Sequence, residues 1–293
     1  MRTGMRRAAF GVVAMALVGA FGLTSCADPA RTDTVAAGSA PAETEVTEAA
    51  GPVDAMGTAG PTATPSGRPS AKPTVAPSKP PGTKAAAPAD NLASRLRTIP
   101  ASTRQVVVVH SDGFGTSVAS LETFEKTGGV WRPKFGVMNA RIGSKGFSDN
   151  HVEGVATTPT GVYSFGSTMY GVSPDPGLKY AYHRLVADDW WNENPDTPGY
   201  NSFFHGADPG GFSEALWQEV PQYNYFAVIN YNIPVRTATP ARGSGIFLHV
   251  AGSGATAGCV SLTQANLLRV LEWLDPAAAP RIVLAPRANL GRY

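Results

Sequence analysis

The chain has 293 residues, which is enough for one or two domains. Its 24 Lys and Arg residues nearly balance its 22 Asp and Glu residues, so net charge indicates neither a nucleic-acid partner nor an acidic one, and no basic patch suited to nucleic acid is present. Only 16% of the residues are charged, while 32 are Gly and 25 are Pro, which indicates a folded part joined to a low-complexity part. The chain has only two cysteines, and each requires its own explanation.

The first 25 residues have the layout of a secretory signal peptide. Arginines precede an apolar run that is too short for a typical membrane span, and the run ends in Leu23-Thr24-Ser25-Cys26. This ending resembles the bacterial lipobox, which implies cleavage before Cys26 and a diacylglyceryl thioether on its sulfur. Because two or more acyl chains attach a protein stably to a membrane, we expect an extracytoplasmic, lipid-anchored protein. A plain signal peptide with an incidental cysteine and a retained transmembrane anchor are the alternatives.

Residues 26–90 are expected to form a disordered tether that begins at the lipidated cysteine. From residue 27 to about 90 the chain has no aromatic residue and holds 11 of the 25 prolines. Such a segment buries too little apolar surface to offset the entropy cost of ordering it. A tether of this kind holds a folded domain away from the membrane, which suits a substrate that lies in a cell wall.

Residues 91–293 are expected to form the folded domain. Apolar, β-branched runs bounded by turn residues dominate it, and their spacing predicts a mainly β fold, a mixed or antiparallel sandwich or barrel with a few helices. A short helix is expected over residues 92–99. Strands are predicted at residues 105–109, 119–126, 130–140, 162–165, 223–231, 246–249 and 282–284.

One helix is well marked just after Cys259. Thr263 can cap its start, and Asp275-Pro276 ends it. Because a helix N-terminus favours negative charge, we expect this position to lower the pKa of the Cys259 thiol. The apolar stripe of the helix consists of Leu267, Leu268, Leu271 and Leu274.

Residues 188–200 are dense in Asp, Asn, Pro and aromatic residues. They predict a large surface loop whose two tryptophans are pinned to the core. A substrate lid or subsite wall is the alternative with functional content. A calcium loop is a third interpretation, although the spacing of the acidic residues does not follow the EF-hand pattern.

Cys259 is the candidate nucleophile. If Cys26 carries lipid, Cys259 is the odd cysteine of a secreted protein, which marks it as a candidate reactive thiol; the alternative is an inert, buried cysteine. His249 ends an apolar strand ten residues upstream, and the small residues between the two can fold back on themselves. His249 is therefore the first choice of base for the thiol, and His205 is the second.

Other chemistries find no matching motif. The sequence contains no Gly-x-Ser-x-Gly elbow, no His-Glu-x-x-His or paired-cysteine zinc motif, and no Walker or Rossmann glycine pattern. We therefore expect neither a metal site nor a cofactor.

Two segments resemble the L,D-transpeptidases of the YkuD type. His249 followed by Thr256-Ala257-Gly258-Cys259 is similar to the active-site motif of that family, an upstream histidine and then Ser/Thr-His-Gly-Cys. Residues 140–143 and 154–163 are similar to its Gly…Thr-Pro-x-Gly-x-Phe/Tyr segment, and the resemblance covers roughly residues 104–286. Two departures are that the second histidine of the motif is Ala257 here, and that the histidine-to-cysteine loop is shorter than in the commonest members.

The resemblance implies acyl transfer between peptidoglycan stem peptides, which would serve as donor and acceptor in 3→3 cross-linking. His249 would take the proton of Cys259, and the thiolate would attack the donor stem. The N–H groups of Gly258 and Cys259 are implied as candidates for holding the oxyanion, and Thr256 as a residue that orients the loop. Ala257 leaves open hydrolysis of cell-wall peptides on the same fold as an alternative. A wall-binding lipoprotein whose thiol is inert is a third hypothesis, from another functional class.

Overall fold

The computed structural model describes residues 90–293, which fold into sixteen strands, one α-helix and several short 3-10 turns. The helix, α1, is Gln264–Trp273. The strands are β1 (Gln105–Ser111), β2 (Val118–Thr127), β3 (Val130–Pro133), β4 (Met138–Arg141), β5 (Phe147–Ser148), β6 (Thr158–Pro159), β7 (Gly161–Tyr163), β8 (Phe165–Gly171), β9 (Ala181–Arg184), β10 (Asp189–Asn192), β11 (Ser202–His205), β12 (Glu214–Ala215), β13 (Phe226–Ile229), β14 (Phe247–Val250), β15 (Val260–Leu262) and β16 (Arg281–Pro286).

Most strands belong to one curled sheet. Its order is β7-β16-β1-β2-β4-β15-β14-β13-β8-β9, and β3 pairs with the far end of β2. β7 and β8 lie far apart in this order, yet Ser164 alone separates them along the chain. The sheet therefore has to curl until these strands meet, as in a barrel. Parallel pairs, such as β1 with β16 and β14 with β15, occur among antiparallel ones, so the expected mainly β fold with a mixed sheet is confirmed.

The valine run of β1 lies between two apolar layers. Val107 and Val109 face the main core, while Val106 and Val108 face a second layer on the outer side of the sheet. Because both faces are covered and β1 pairs with strands on both sides, all seven of its residues are buried. This double burial explains why the strand reads as a continuous apolar run.

The helix α1 packs against β14 and β15. Leu267 and Leu271 are fully buried in the main core, and Leu268 is only half-buried because Val270 takes the inner position. Thr263 occupies the N-cap position, but its side chain makes no capping hydrogen bond. Within residues 90–293, no helix is long and apolar enough to cross a membrane.

Three predicted elements are wrong in detail. The single strand expected over residues 130–140 is two strands, β3 and β4, because the register of pairing with β2 shifts by two residues between them. The helix expected over residues 92–99 is one 3-10 turn, as so short a helix is marginal without a packing face. The strand expected from residue 223 begins only at Phe226, because a 3-10 turn precedes it.

The tryptophan-rich stretch is partly strand. β10 pairs with β11 and β12 in a small three-stranded sheet. Trp191 is buried against Phe247, with ring centroids 5.0 Å apart, and Trp190 packs on Trp217 at 5.0 Å. Both tryptophans are thus pinned, as predicted, but in a strand and not in a loop. In the part of the chain that the structure describes, no group of three or more His, Cys, Asp or Glu side chains is placed to hold a metal ion.

Asp189 ties the small sheet to the main one. Its buried carboxylate accepts hydrogen bonds from His183 of β9 and His205 of β11, both at 2.8 Å, and from the N–H of Val186 at 2.8 Å. β9 belongs to the main sheet, so one carboxylate joins two sheets. Burial raises the pKa of Asp189, but these hydrogen bonds outweigh burial and hold the pKa below its usual value.

Replacing Asp189→Asn should lower the free energy of unfolding by about 1.5–3 kcal/mol at neutral pH, because hydrogen bonds to a buried charge are lost. A carboxyl whose folded pKa is depressed stabilises the fold above its unfolded pKa of about 4 and loses that contribution as pH falls through the folded pKa. The difference between variant and wild type should therefore shrink below about pH 4. Urea unfolding at a series of pH values measures it.

Asp188→Asn is the matched control, because Asp188 is exposed and adjacent and carries the same charge. Its φ of 68° is one that Asn adopts readily. This control should change the free energy of unfolding by no more than about 0.5 kcal/mol. An equal loss in both variants would contradict the role given to Asp189.

Candidate active site

Two chain segments that are about a hundred residues apart meet at the hydroxyl of Thr158. This hydroxyl donates to the carbonyl oxygen of Gly258 at 2.7 Å and accepts the N–H of Gly143 at 2.8 Å. Gly143 has to approach closely, since a Cβ there would lie 2.7 Å from the carbonyl oxygen of Ala156. The same segments also join in a backbone bridge between Gly143 and Thr256. The two stretches that carry the sequence resemblance therefore form one structural unit.

Strands β14 and β15 place His249 and Cys259 on one face of the sheet. The strands are parallel, and Leu248 pairs with Val260, so one step back along both puts Cys259 beside Phe247. Side chains alternate along a strand, so His249 points to the same face as Phe247. His249 and Cys259 are thus diagonal neighbours, at a spacing of about 7–8 Å between backbones that ring side chains can bridge.

The sulfur of Cys259 lies among backbone groups and aromatic rings. It accepts the N–H of Phe247 at 3.1 Å and lies 3.2 Å from the carbonyl oxygen of Gly245. Cys259 is fully buried in an apolar layer with Phe247, Tyr223 and other side chains. The N–H of Phe247 favours a negatively charged sulfur, because a hydrogen bond to the charged form stabilises it.

The N-terminus of α1 does not lie close enough to Cys259 to lower the pKa of its thiol in the way that the sequence suggested. β15 occupies three residues between Cys259 and α1, which starts at Gln264. The dipole effect of a helix falls off within its first turn. The expected lowering of the thiol pKa by the helix N-terminus therefore does not follow from this geometry, and the N–H of Phe247 is the donor that sequence reasoning missed.

Cys26, the other cysteine of the chain, lies outside the described residues, and so do the signal peptide and nearly all of the tether; lipidation of Cys26 stays a prediction. Nucleophilic chemistry at Cys259 belongs to the reduced form of the protein.

Thr256 holds the backbone on either side of Gly258. Its hydroxyl donates to the carbonyl oxygen of Cys259 at 2.6 Å and accepts the N–H of Gly258 at 3.2 Å. The carbonyl of Gly258 is held by Thr158 in turn. Two threonine hydroxyls thus hold the carbonyls of Gly258 and Cys259 and leave the turn at the nucleophile little freedom.

His249 is buried, and its tautomer follows from one contact. Its Nδ1 lies 2.8 Å from the carbonyl oxygen of Val250, which can only accept a hydrogen bond. Nδ1 therefore carries the proton, and Nε2 is the basic nitrogen. The ring lies edge-to-face with Tyr223, with centroids 5.7 Å apart, on the face that also carries Cys259.

The other histidines divide into two groups. His205, the second choice of base, is bound to Asp189 together with His183, and His110 lies 3.0 Å from Glu122. His151 instead lies beside Gly258, the residue before the candidate nucleophile. Sequence reasoning missed His151, because nothing in the sequence around it indicates contact with a residue more than a hundred positions away.

A cavity of about 580 Å³ adjoins the apolar layer of Cys259. Trp191 and Val228, which belong to that layer, line it together with Asn201. The side-chain oxygen of Asn201 accepts the N–H of Gly245, whose carbonyl faces the sulfur. The cavity wall is therefore connected to the candidate nucleophile through two contacts. Trp191 of the tryptophan-rich stretch lines this cavity, and the role of that stretch as a substrate lid or subsite wall stays a prediction.

The model of the YkuD family, described as the L,D-transpeptidase catalytic domain, matches residues 106–283, which is more than half of the chain. No curated protein matches the chain significantly, and no solved structure does. The matched range begins in β1 and ends in β16, so it spans the whole main sheet.

Replacing Thr158→Val should lower the free energy of unfolding by about 1–3 kcal/mol. The change keeps the shape of the side chain but leaves the N–H of Gly143 and the carbonyl of Gly258 buried without their partner. Urea unfolding of the reduced protein measures the loss.

Thr263→Val is the matched control, since it makes the same chemical change at an exposed side chain with no capping hydrogen bond. It should change the free energy of unfolding by less than about 0.5 kcal/mol. If Thr158→Val proves as mild as this control, the hydroxyl does not hold the two segments together.

Proposed function

Because the chain belongs to the family of YkuD-type L,D-transpeptidase catalytic domains, we propose that it forms 3→3 cross-links in peptidoglycan through an acyl-enzyme at Cys259. The family acts on peptidoglycan peptides. One observation in this chain supports the proposal. The Thr158 hydroxyl joins the two family-like segments at Gly258, the residue before the candidate nucleophile.

The reaction proceeds by two acyl transfers. His249 takes the proton of the reduced Cys259, and the thiolate attacks the carbonyl between the third residue of a tetrapeptide stem, a diamino acid, and its terminal D-Ala. D-Ala leaves with a proton, and a thioester remains on the sulfur. The side-chain amine of a neighbouring stem then attacks the thioester, which forms the cross-link and returns the thiol.

The backbone at Cys259 supplies a donor for the oxyanion. A trans peptide is planar, so the N–H of Cys259 points opposite to the carbonyl of Gly258. That carbonyl faces Thr158, and the N–H of Cys259 therefore points away from Thr158. A donor aimed at developing negative charge contributes about 3 kcal/mol in comparable acyl-transfer enzymes.

The base is assigned to His249 from its neighbours. The carbonyl of Val250 fixes the proton on Nδ1, which leaves Nε2 to accept the thiol proton. His205 is a poor alternative, because it is bound to Asp189 on the small sheet. Lipidation of Cys26 and the tether would hold this domain outside the cytoplasm, within reach of the cell wall.

Hydrolysis is the second candidate function. Water in place of the acceptor amine would release a tripeptide and make the protein an L,D-carboxypeptidase. Ala257 favours this alternative, because the segment next to the nucleophile departs from the family motif there. A wall-binding lipoprotein with an inert thiol is the third candidate, and the full burial of Cys259 is the observation in its favour.

Reduced wild-type protein should be acylated by a carbapenem, seen as a mass increase of the intact protein that Cys259→Ala abolishes. His249→Gln should slow this acylation by about 100-fold or more, because the base is removed. His205→Gln is the matched control and should leave the rate unchanged. No adduct on the reduced wild type would exclude both enzymatic functions, and an equal loss in both histidine variants would reject His249 as the base.

Purified tetrapeptide stems should yield cross-linked dimers and free D-Ala when incubated with the reduced protein. Mass spectrometry of the products separates the two enzymatic candidates, since transfer joins two stems and hydrolysis trims one. Cys259→Ala should give neither product. Tripeptide as the sole product would establish hydrolysis and reject the transferase.

A further inference from the structure

The imidazole of His151 lies close to both backbone stretches that surround the candidate nucleophile. A Cβ at Gly243 would lie 2.0 Å from its Nε2, and a Cβ at Gly258 would lie 3.7 Å from its Cε1. Neither glycine has a left-handed backbone, so it is the space taken by the ring that requires glycine at position 243. The imidazole thus lies tightly against Gly243 and within van der Waals range of a side chain at position 258.

Each stretch reaches the sulfur. Gly243 is two residues before Gly245, whose carbonyl oxygen lies 3.2 Å from the sulfur. Gly258 directly precedes Cys259, and its carbonyl is bound by Thr158. A ring that lies beside both Gly243 and Gly258 is therefore close to both backbone stretches that flank the sulfur.

The ring itself is held on several sides. Its Nδ1 lies 2.9 Å from the hydroxyl of Thr157, and the ring stacks edge-to-face on Tyr231 at 5.3 Å. The hydroxyl of Tyr231 donates to the carbonyl of His151 at 2.8 Å. Burial and the positive charge of Arg242 lower the pKa of His151 to about 4, so the imidazole is neutral at physiological pH.

We propose that His151 is a positioning residue of the acyl-transfer site, which holds the Gly243–Gly245 and Thr256–Cys259 stretches at the spacing that the nucleophile requires. The inference rests on the proposed function of Cys259. His151 would give the site a second histidine from a distant part of the chain. The family motif has its second histidine at position 257, which is alanine here. His151 acts through the backbone, and His249 remains the base.

The test measures the alkylation rate of reduced Cys259 with iodoacetamide and its acylation rate with the carbapenem. His151→Ala should slow both rates by about tenfold or more, since a small displacement of a reacting group is costly. His151→Asn keeps a polar group near the position of Nδ1 for Thr157 and should restore most of the loss. Wild-type rates in His151→Ala that remains folded, judged by thermal unfolding, would overturn the proposal, and so would no difference between Ala and Asn.

Gly243→Ala by itself keeps the test valid if His151→Ala folds poorly, and the double-mutant cycle of the two positions applies when both variants fold. Gly243→Ala pushes a methyl group into the imidazole and should slow both rates in the wild-type background. With His151→Ala already present the ring is gone, so Gly243→Ala should add no further loss. Additive losses would show that the two residues act independently and would reject the proposal.

The two reagents separate this inference from the proposed function. Alkylation reports the environment of the thiol whatever its natural reaction, while acylation reports acyl transfer. A protein that is alkylated in a His151-dependent way but never acylated would reject the transpeptidase and keep the positioning role. Normal acylation in every His151 and Gly243 variant would reject the positioning role and keep the transpeptidase.

Discussion

The site depends on one hydroxyl that satisfies two buried backbone groups. Buried N–H and C=O groups need partners, and at the junction of the two family-like segments no ladder of strands supplies them. Thr158 accepts from Gly143 and donates to Gly258, which only a hydroxyl can do with a single atom. The backbones at Gly143 and Gly258 can therefore approach closely beside the nucleophile. The buried N–H of Gly143 and the buried carbonyl of Gly258 still have a hydrogen-bond partner. Serine could make the same bonds, but the methyl group of threonine restricts the side-chain rotamer and so fixes the direction of the hydroxyl.

The curled sheet turns this local junction into a site. Side chains of β14 alternate between two layers, so Leu248 anchors the strand in the main core while Phe247 and His249 face the layer of Cys259. A slip of one residue in the register of β14 and β15 would turn Cys259 into the core. The helix α1, buried beneath both strands, holds that register by packing and not by its dipole.

The sequence predicted those parts of the structure that depend on local pattern. The valine run of β1, the apolar strand before His249 and the leucine stripe of α1 were found because burial repeats with the period of the element. Residues 130–140 were misjudged because a shift in the register of pairing with β2 divides the strand, and the apolar pattern does not reveal such a shift. His151 was missed for a different reason: its neighbours Gly243 and Gly258 are about a hundred residues away, and neither periodicity nor turn chemistry carries information over that distance.

The arrangement of donors and acceptors limits how the oxyanion can be held. The N–H of Gly258 already donates to the hydroxyl of Thr256, and that hydroxyl donates onward to the carbonyl of Cys259. For Gly258 to bind an oxyanion, the substrate oxygen would have to displace the hydroxyl and release the turn. The N–H of Cys259 has no such conflict with Thr158, because planarity of the peptide directs it to the opposite side. Of the two backbone donors implied by the family resemblance, we therefore propose the N–H of Cys259 for the oxyanion, while the two threonine hydroxyls hold the carbonyls of Gly258 and Cys259.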